Sequence, residues 1–116
     1  MPIMYYAVDG DDVGRSLERL LLENDPEAAR AFSSRLTKDV ECIRRFFEER
    51  GASIVFCAGD GLLAHSSKPI EAEAVIQGAS GATFSVGLGD TTANALLALK
   101  KAKGLGKARL ETQFNQ

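Results

Sequence analysis

Two short acidic turns carry the residues best suited to chemistry in this chain: Asp9-Gly10-Asp11-Asp12 and Gly59-Asp60-Gly61. Each follows an apolar, strand-like run, residues 3–8 for the first and 53–58 for the second. Carboxylates at the ends of neighbouring strands are hard oxygen ligands that hold magnesium or manganese over a phosphate substrate. Gly10 lets the backbone approach a ligand closely, so its carbonyl can join Asp9 and Asp60 in one metal-binding set. Metals held this way lower the pKa of an attacking hydroxyl and neutralise a pyrophosphate leaving group. Each turn alone is weak testimony, since an Asp-Gly hairpin turn is usually only a turn.

A second set is basic. Lys100, Lys101, Lys103, Lys107 and Arg109 fall within ten positions that hold no acid. Lys100, Lys103 and Lys107 recur at steps of three and four, on or just beyond one face of the last helix, and could clamp a triphosphate. The plainer reading is that lysines near a helix C-terminus complement its dipole. An EF-hand is excluded, because the twelfth position from Asp9 is Leu20 where a bidentate Glu is required. No G-x-x-x-x-G-K-[ST] occurs. Two separated cysteines, Cys42 and Cys57, and a single histidine, His65, argue against zinc and for buried, reduced thiols in a cytoplasmic protein.

The elements that must position these turns are legible in the patterning. Residues 4–8 read as a buried strand, and a helix follows over 13–22 with Asp12 at its N-cap. Asp25-Pro26 opens a long helix over 27–50, where Ala28, Phe32, Leu36, Val40, Ile43 and Phe47 form one apolar face. Gly51 stops it. Strands at 53–58 and 62–65 form a hairpin around Gly59-Asp60-Gly61. A short helix over 70–77, a strand over 82–88, a helix from Thr91 or Thr92 to about 103, and an edge strand over 108–114 complete the chain. This order predicts an α+β fold with a ferredoxin-like βαββαβ core, an extra helix in the N-terminal half and a C-terminal helix and strand. In that topology Asp9 and Asp60 are neighbours in space. The 116 residues, 45% hydrophobic, fit a single domain over 1–116. A net charge of −2 gives no general attraction to nucleic acid or anionic membrane, and no apolar run is long enough to span a bilayer.

These motifs resemble the palm-type nucleotide cyclases and polymerases: the GGDEF cyclic dinucleotide synthases, the palm of the type III CRISPR large subunit, and archaeal GTP cyclohydrolase III. In length and style the chain is most similar to the stand-alone minimal CRISPR polymerases (mCpol), and the resemblance covers nearly all of it. Asp9 and Gly10 match the family's metal-binding Asp and the carbonyl after it. Ala58-Gly59-Asp60-Gly61-Leu62 takes the place of the Gly-Gly-acid-acid hairpin, with Asp60 as the metal-binding acid and Gly61 in place of the second. Ser85-Val86-Gly87-Leu88 matches the next strand. Ala95, Ala98, Leu99, Ala102, Lys103, Gly106 and Lys107 fall in register with the closing helix.

The resemblance implies a nucleotidyltransferase. Magnesium or manganese at Asp9, the Gly10 carbonyl and Asp60 would activate a ribose hydroxyl, and Lys103 and Lys107 would hold the triphosphate. Gly59, Gly61, Asp12 and Lys100 join the nucleotide-binding set, and Asp11 or Asp12 is the candidate to replace the acid missing at Gly61. Two nucleoside triphosphates, ATP favoured and GTP second, would meet between the facing sites of a homodimer or larger homo-oligomer. The product would be a cyclic di- or oligonucleotide messenger for a separate effector in anti-phage defence. Arg15, Ser16, Arg19, His65 and Tyr6 are candidates for the base pocket. The alternatives are hydrolysis of GTP, as in GTP cyclohydrolase III, and a nucleotide sensor that has lost catalysis, which the Gly61 departure favours.

Overall fold

The computed structural model describes residues 2–115. The elements are β1 (Met4–Gly10), α1 (Val13–Leu22), α2 (Pro26–Glu49), β2 (Ser53–Ala58), β3 (Gly61–Ser66), a 3₁₀ turn (Ala72–Val75), β4 (Phe84–Gly89), α3 (Thr92–Gly104) and β5 (Leu110–Gln113). The strands form one sheet in the order β2-β3-β1-β4-β5. Its first four are antiparallel to their neighbours, and β5 joins β4 in parallel through α3. The fold is the α+β, ferredoxin-like arrangement expected, with β1 at the centre of the sheet.

Period-two alternation divides β1 between two faces. Tyr6 and Val8 turn toward the apolar face of α2, where Leu36, Val40, Ile43 and Phe47 meet Leu62, Ala64, Phe84 and Val86 in the main core. The rings of Tyr6 and Phe47 lie 5.4 Å apart at a tilt. The other face is packed differently. Ala95, Ala98 and Ala102 put a stripe of small side chains on α3, fully buried against the sheet. A Cβ at Gly87 or Gly89 would collide with the α3 backbone at Ala95 and Leu99, or at Asn94 and Ala95. These glycines therefore set how closely the helix approaches the strand.

Two elements differ from the sequence expectation. The helix expected over 70–77 shortens to the 3₁₀ turn, because the chain after Gln77 is drawn back to α2. There the buried Asp39 accepts from the amides of Ala79 (2.9 Å) and Ser80 (3.1 Å). Asp12 occupies the N-cap of α1, but in the left-handed region (φ 56°) and without capping with its side chain. In α2, by contrast, Asp25 caps as expected, accepting from Ala28 N at 3.0 Å. Nor are both thiols buried: Cys42 is exposed and Cys57 half-buried.

Candidate active site

Strand pairing brings the two acidic turns together. Asp9 stands opposite Gly61 on one side and Ser85 on the other. Gly10 N donates to the Asp60 carbonyl at 2.9 Å. Gly59 (φ 60°) and Asp60 form a two-residue hairpin loop in which the positive φ needs glycine. A Cβ on Gly10 would sit 2.8 Å from Val13 Cγ2 and 3.2 Å from Asp60 Oδ2, so the absence of a side chain admits the Asp60 carboxylate. Burial raises the Asp9 carboxyl above the ordinary range, and the nearby Asp60 charge adds to the rise, with Lys103 opposing it. Two crowded carboxylates of this kind favour a cation between them.

Lys103 reaches into this turn from the last turn of α3. Its ammonium donates to the Asp9 carbonyl (3.2 Å), the Gly10 carbonyl (2.8 Å) and Asp11 Oδ1 (2.7 Å), and lies 3.4 Å from Asp9 Oδ2. A positive charge thus rests on the Gly10 carbonyl that the resemblance assigns to a metal. The oxygen donors of Asp9, Gly10 and Asp60 are of the hard kind a divalent ion takes, and an ion bound there would displace Lys103 from the Gly10 carbonyl. No group of three or more His, Cys, Asp or Glu side chains is arranged to hold a metal among the described residues. Two carboxylates and a carbonyl would leave the remaining positions to phosphate and water.

Asp11 is placed otherwise. Its side chain is almost completely buried, and both oxygens are engaged. Oδ1 accepts from Ser85 Oγ (2.7 Å) and Lys103, and Oδ2 from Thr83 Oγ1 (2.7 Å) and Ala108 N (2.9 Å). Burial alone would raise its carboxyl, but the bonds from Lys103, Ser85, Thr83 and Ala108 outweigh it and hold the group below the ordinary range. Asp11 therefore fastens β4, α3 and the following loop to the first turn and has no free oxygen to replace the acid absent at Gly61. A side chain at Gly61 would itself meet Val8 O at 2.6 Å and Asp9 Oδ1 at 3.1 Å, so this backbone leaves no room for a second hairpin acid.

The remaining candidates separate. Asp12 is exposed and paired with Lys107 Nζ at 2.5 Å, a bond that holds its carboxyl below the ordinary range. Lys107 and Ala108 both take positive φ (65° and 50°) in the loop fastened by Asp11. Lys100 is exposed, and among the described residues no hydrogen bond or ion pair joins it to the acidic turns. Tyr6 is not available to a base: it lies in the core, its hydroxyl accepting from Ile70 N at 3.1 Å. His65 packs on Tyr5 with ring centroids 5.6 Å apart. Arg15 and Arg19 line a surface depression on α1. Sequence reasoning assigned no role to Thr83 or to the Ala108 amide. Only Ser85, inside the Ser-Val-Gly-Leu match, carried any signal.

The five-stranded sheet and its helices are arranged in a way similar to the GGDEF/palm fold. The chain belongs to the minimal CRISPR polymerase (mCpol) family, whose domain matches residues 5–113. No curated protein matches it. Among solved structures it is similar to the active GGEEF domain of a diguanylate cyclase from Vibrio cholerae, with TM-score 0.65 and 13% identity over 100% of this chain and 85% of that one. It is similar to the GGDEF domain of DgcB from Caulobacter crescentus in complex with c-di-GMP, with TM-score 0.65 and 11% identity over 95% and 77%. It also resembles a chain of the Csm1-Csm4 cassette in complex with cA4, with TM-score 0.64 and 17% identity over 93% of this chain and 20% of that one. Family membership supports a polymerase- or cyclase-like, nucleotidyl-transferring enzyme. No helix among the described residues is long and apolar enough to cross a membrane.

Proposed function

We propose that this chain joins nucleoside triphosphates, ATP in preference to GTP, into a cyclic di- or oligonucleotide. The observation that carries this reading is the convergence of Asp9, the Gly10 carbonyl and Asp60 at one end of the sheet, with Lys103 beside them. Asp9, Gly10 and Asp60 would hold magnesium or manganese, which when bound lowers the pKa of a ribose hydroxyl and neutralises charge on the leaving pyrophosphate. Lys103 and Lys107 bind the triphosphate, and each must then exchange an internal carboxylate or carbonyl partner for phosphate oxygens. Asp11 positions Lys103 and the loop carrying Lys107. The hydroxyl oxygen bonds to the α-phosphorus of a second nucleotide, the α–β phosphoanhydride bond breaks, pyrophosphate leaves and the hydroxyl proton passes to solvent. A second such step closes the ring.

One site holding one nucleotide cannot join two, so the working form is a homodimer or larger homo-oligomer with facing sites. The product serves a separate effector protein in cytoplasmic anti-phage defence. The test is incubation with each triphosphate and magnesium or manganese, with products read by mass spectrometry. Cyclic products that disappear with Asp60→Ala bear the proposal out. An opened guanine ring would instead show a cyclohydrolase, and nucleotide binding without turnover a sensor. The sensor keeps a specific footing in the crowding at Gly61, which excludes the family's second acid.

A further inference from the structure

Every N–H bond of the Lys103 ammonium is engaged, and most of them go to backbone carbonyls. Asp9 O accepts at 3.2 Å and Gly10 O at 2.8 Å, while the remaining bond goes to Asp11 Oδ1 at 2.7 Å. Other members of the basic segment behave differently. Lys101 and Arg109 pair with Glu111, and Lys107 pairs with Asp12. Among the described residues Lys103 is the only lysine of that segment whose charge rests on main-chain oxygens. Packing builds this contact. Ala98 and Ala102, fully buried on α3, bring the helix close to the sheet. The Lys103 stem therefore reaches the end of β1, and its side chain is only 25% exposed.

The Gly10 carbonyl is also one of the ligands that the proposed function gives to a divalent ion. A carbonyl oxygen has two lone pairs, so geometry by itself does not forbid both cations on it. Charge does. An ion on that oxygen would lie within about 5 Å of an ammonium still hydrogen-bonded to it. In a partly buried site the repulsion at that distance exceeds what the hydrogen bond contributes. We infer that Lys103 is a built-in competitor for the divalent ion: it holds the Gly10 carbonyl until triphosphate oxygens draw its ammonium away, so that metal and nucleotide enter the site together. This inference rests on the function proposed above and adds an order of events to it. An ammonium that leaves the carbonyls has N–H donors to place elsewhere. Asp11 cannot take them up, because its oxygens already accept from Ser85, Thr83 and the Ala108 amide. Phosphate oxygens can. An ion without nucleotide must displace the ammonium with only water to receive it, and by linkage each ligand strengthens the other by the same factor.

The test is manganese binding to the nucleotide-free chain, followed by electron paramagnetic resonance. Lys103→Met, which keeps an apolar stem and removes the ammonium, should bind manganese about tenfold more tightly than the parent chain, the scale of one removed charge–charge contact. Lys107→Met removes an equal charge from Asp12, outside the ligand set, and should change the affinity about twofold or less. The gain in Lys103→Met should vanish when Asp60→Ala is added; a gain that survives would put the ion elsewhere and overturn the competition. Nitrogen NMR of the lysine ammonium groups reads the same event in the unaltered chain. The probes are magnesium and an ATP analogue that cannot be cleaved between the α- and β-phosphates. At a magnesium concentration that moves the Lys103 signal in the presence of the analogue, magnesium alone should leave it in place. Equal manganese affinity in Lys103→Met and the parent, an equal gain in Lys107→Met, or a Lys103 signal that magnesium alone moves as readily would each overturn the competition while leaving the proposed function standing. Manganese bound by none of these chains, with the analogue unbound as well, would overturn the function itself.

Discussion

Asp9 and Asp11 belong to one four-residue turn, yet the fold treats them oppositely. Asp9 is half-exposed and crowded by Asp60, and its carboxyl is pushed up. Asp11 is buried in a socket of four donors, and its carboxyl is held down. The first arrangement leaves negative charge under-compensated at the surface, where a cation and a substrate can supply what is missing. The second consumes its charge internally and spends it on holding three segments together. A carboxylate's place in a catalytic site thus depends less on its neighbours in sequence than on how many donors the fold already gives it.

The contrast can be broken by substitution. The largest effect is expected at the proposed metal ligands. Asp60→Ala should lower cyclic product formation about 10³-fold, or about 4 kcal/mol of barrier, with little loss of stability. Next is Asp11→Ala, which leaves the Ala108 amide without its acceptor and removes one of several partners of Lys103. It should cost about 3 kcal/mol of stability, read as a fall in Tm of roughly 10 °C or more. If Asp11→Ala melts like the parent chain, the socket is not what holds the loop. Gly61→Glu, which writes the family's second acid into the hairpin, should cost about 2 kcal/mol by crowding Val8 O and should reduce product instead of raising it. Asp9→Asn should abolish manganese binding while leaving the metal-free protein about as stable, since the charge it removes is one that burial and Asp60 disfavour.

The smallest effect is one of pH. Asp9 takes up its proton above the ordinary carboxylate range, so manganese affinity should fall early on acidification. Asp11, with its folded value depressed, contributes stability that is complete above the unfolded value and lost only as pH falls through the lower folded one. Metal binding should therefore fail at a higher pH than the fold does. Manganese titrations set beside melting curves decide this, and coincident midpoints would erase the distinction between the two carboxylates.

Much of the architecture was legible because it rests on local rules. The apolar period of α2, the cap at Asp25 and the glycine-hinged hairpin each state their structure within a few residues. The 70–77 segment was misread because Asp39, some 40 positions earlier, takes the amides of Ala79 and Ser80. Asp12 stands at the N-cap its residue type predicts, but its side chain pairs with Lys107, 95 positions away, instead of capping, which no local pattern shows. The motif match placed Lys103 and Lys107 near phosphate, but not on the carboxylates and carbonyls where the fold rests them.

By itself, the sequence determined the strands and the three long helices, their order, and hence that Asp9 and Asp60 would meet. Hydrophobic period and turn chemistry act over short spans, and the order of elements narrows the strand pairings to a few. The tertiary structure alone decided which carboxylate faces the site and which is locked inside it. It also decided that Gly61 must stay bare, and that Lys103 rests on the Gly10 carbonyl. Those outcomes depend on register, on donors drawn from distant segments and on how closely a helix can approach a strand, none of which any short stretch of the chain encodes.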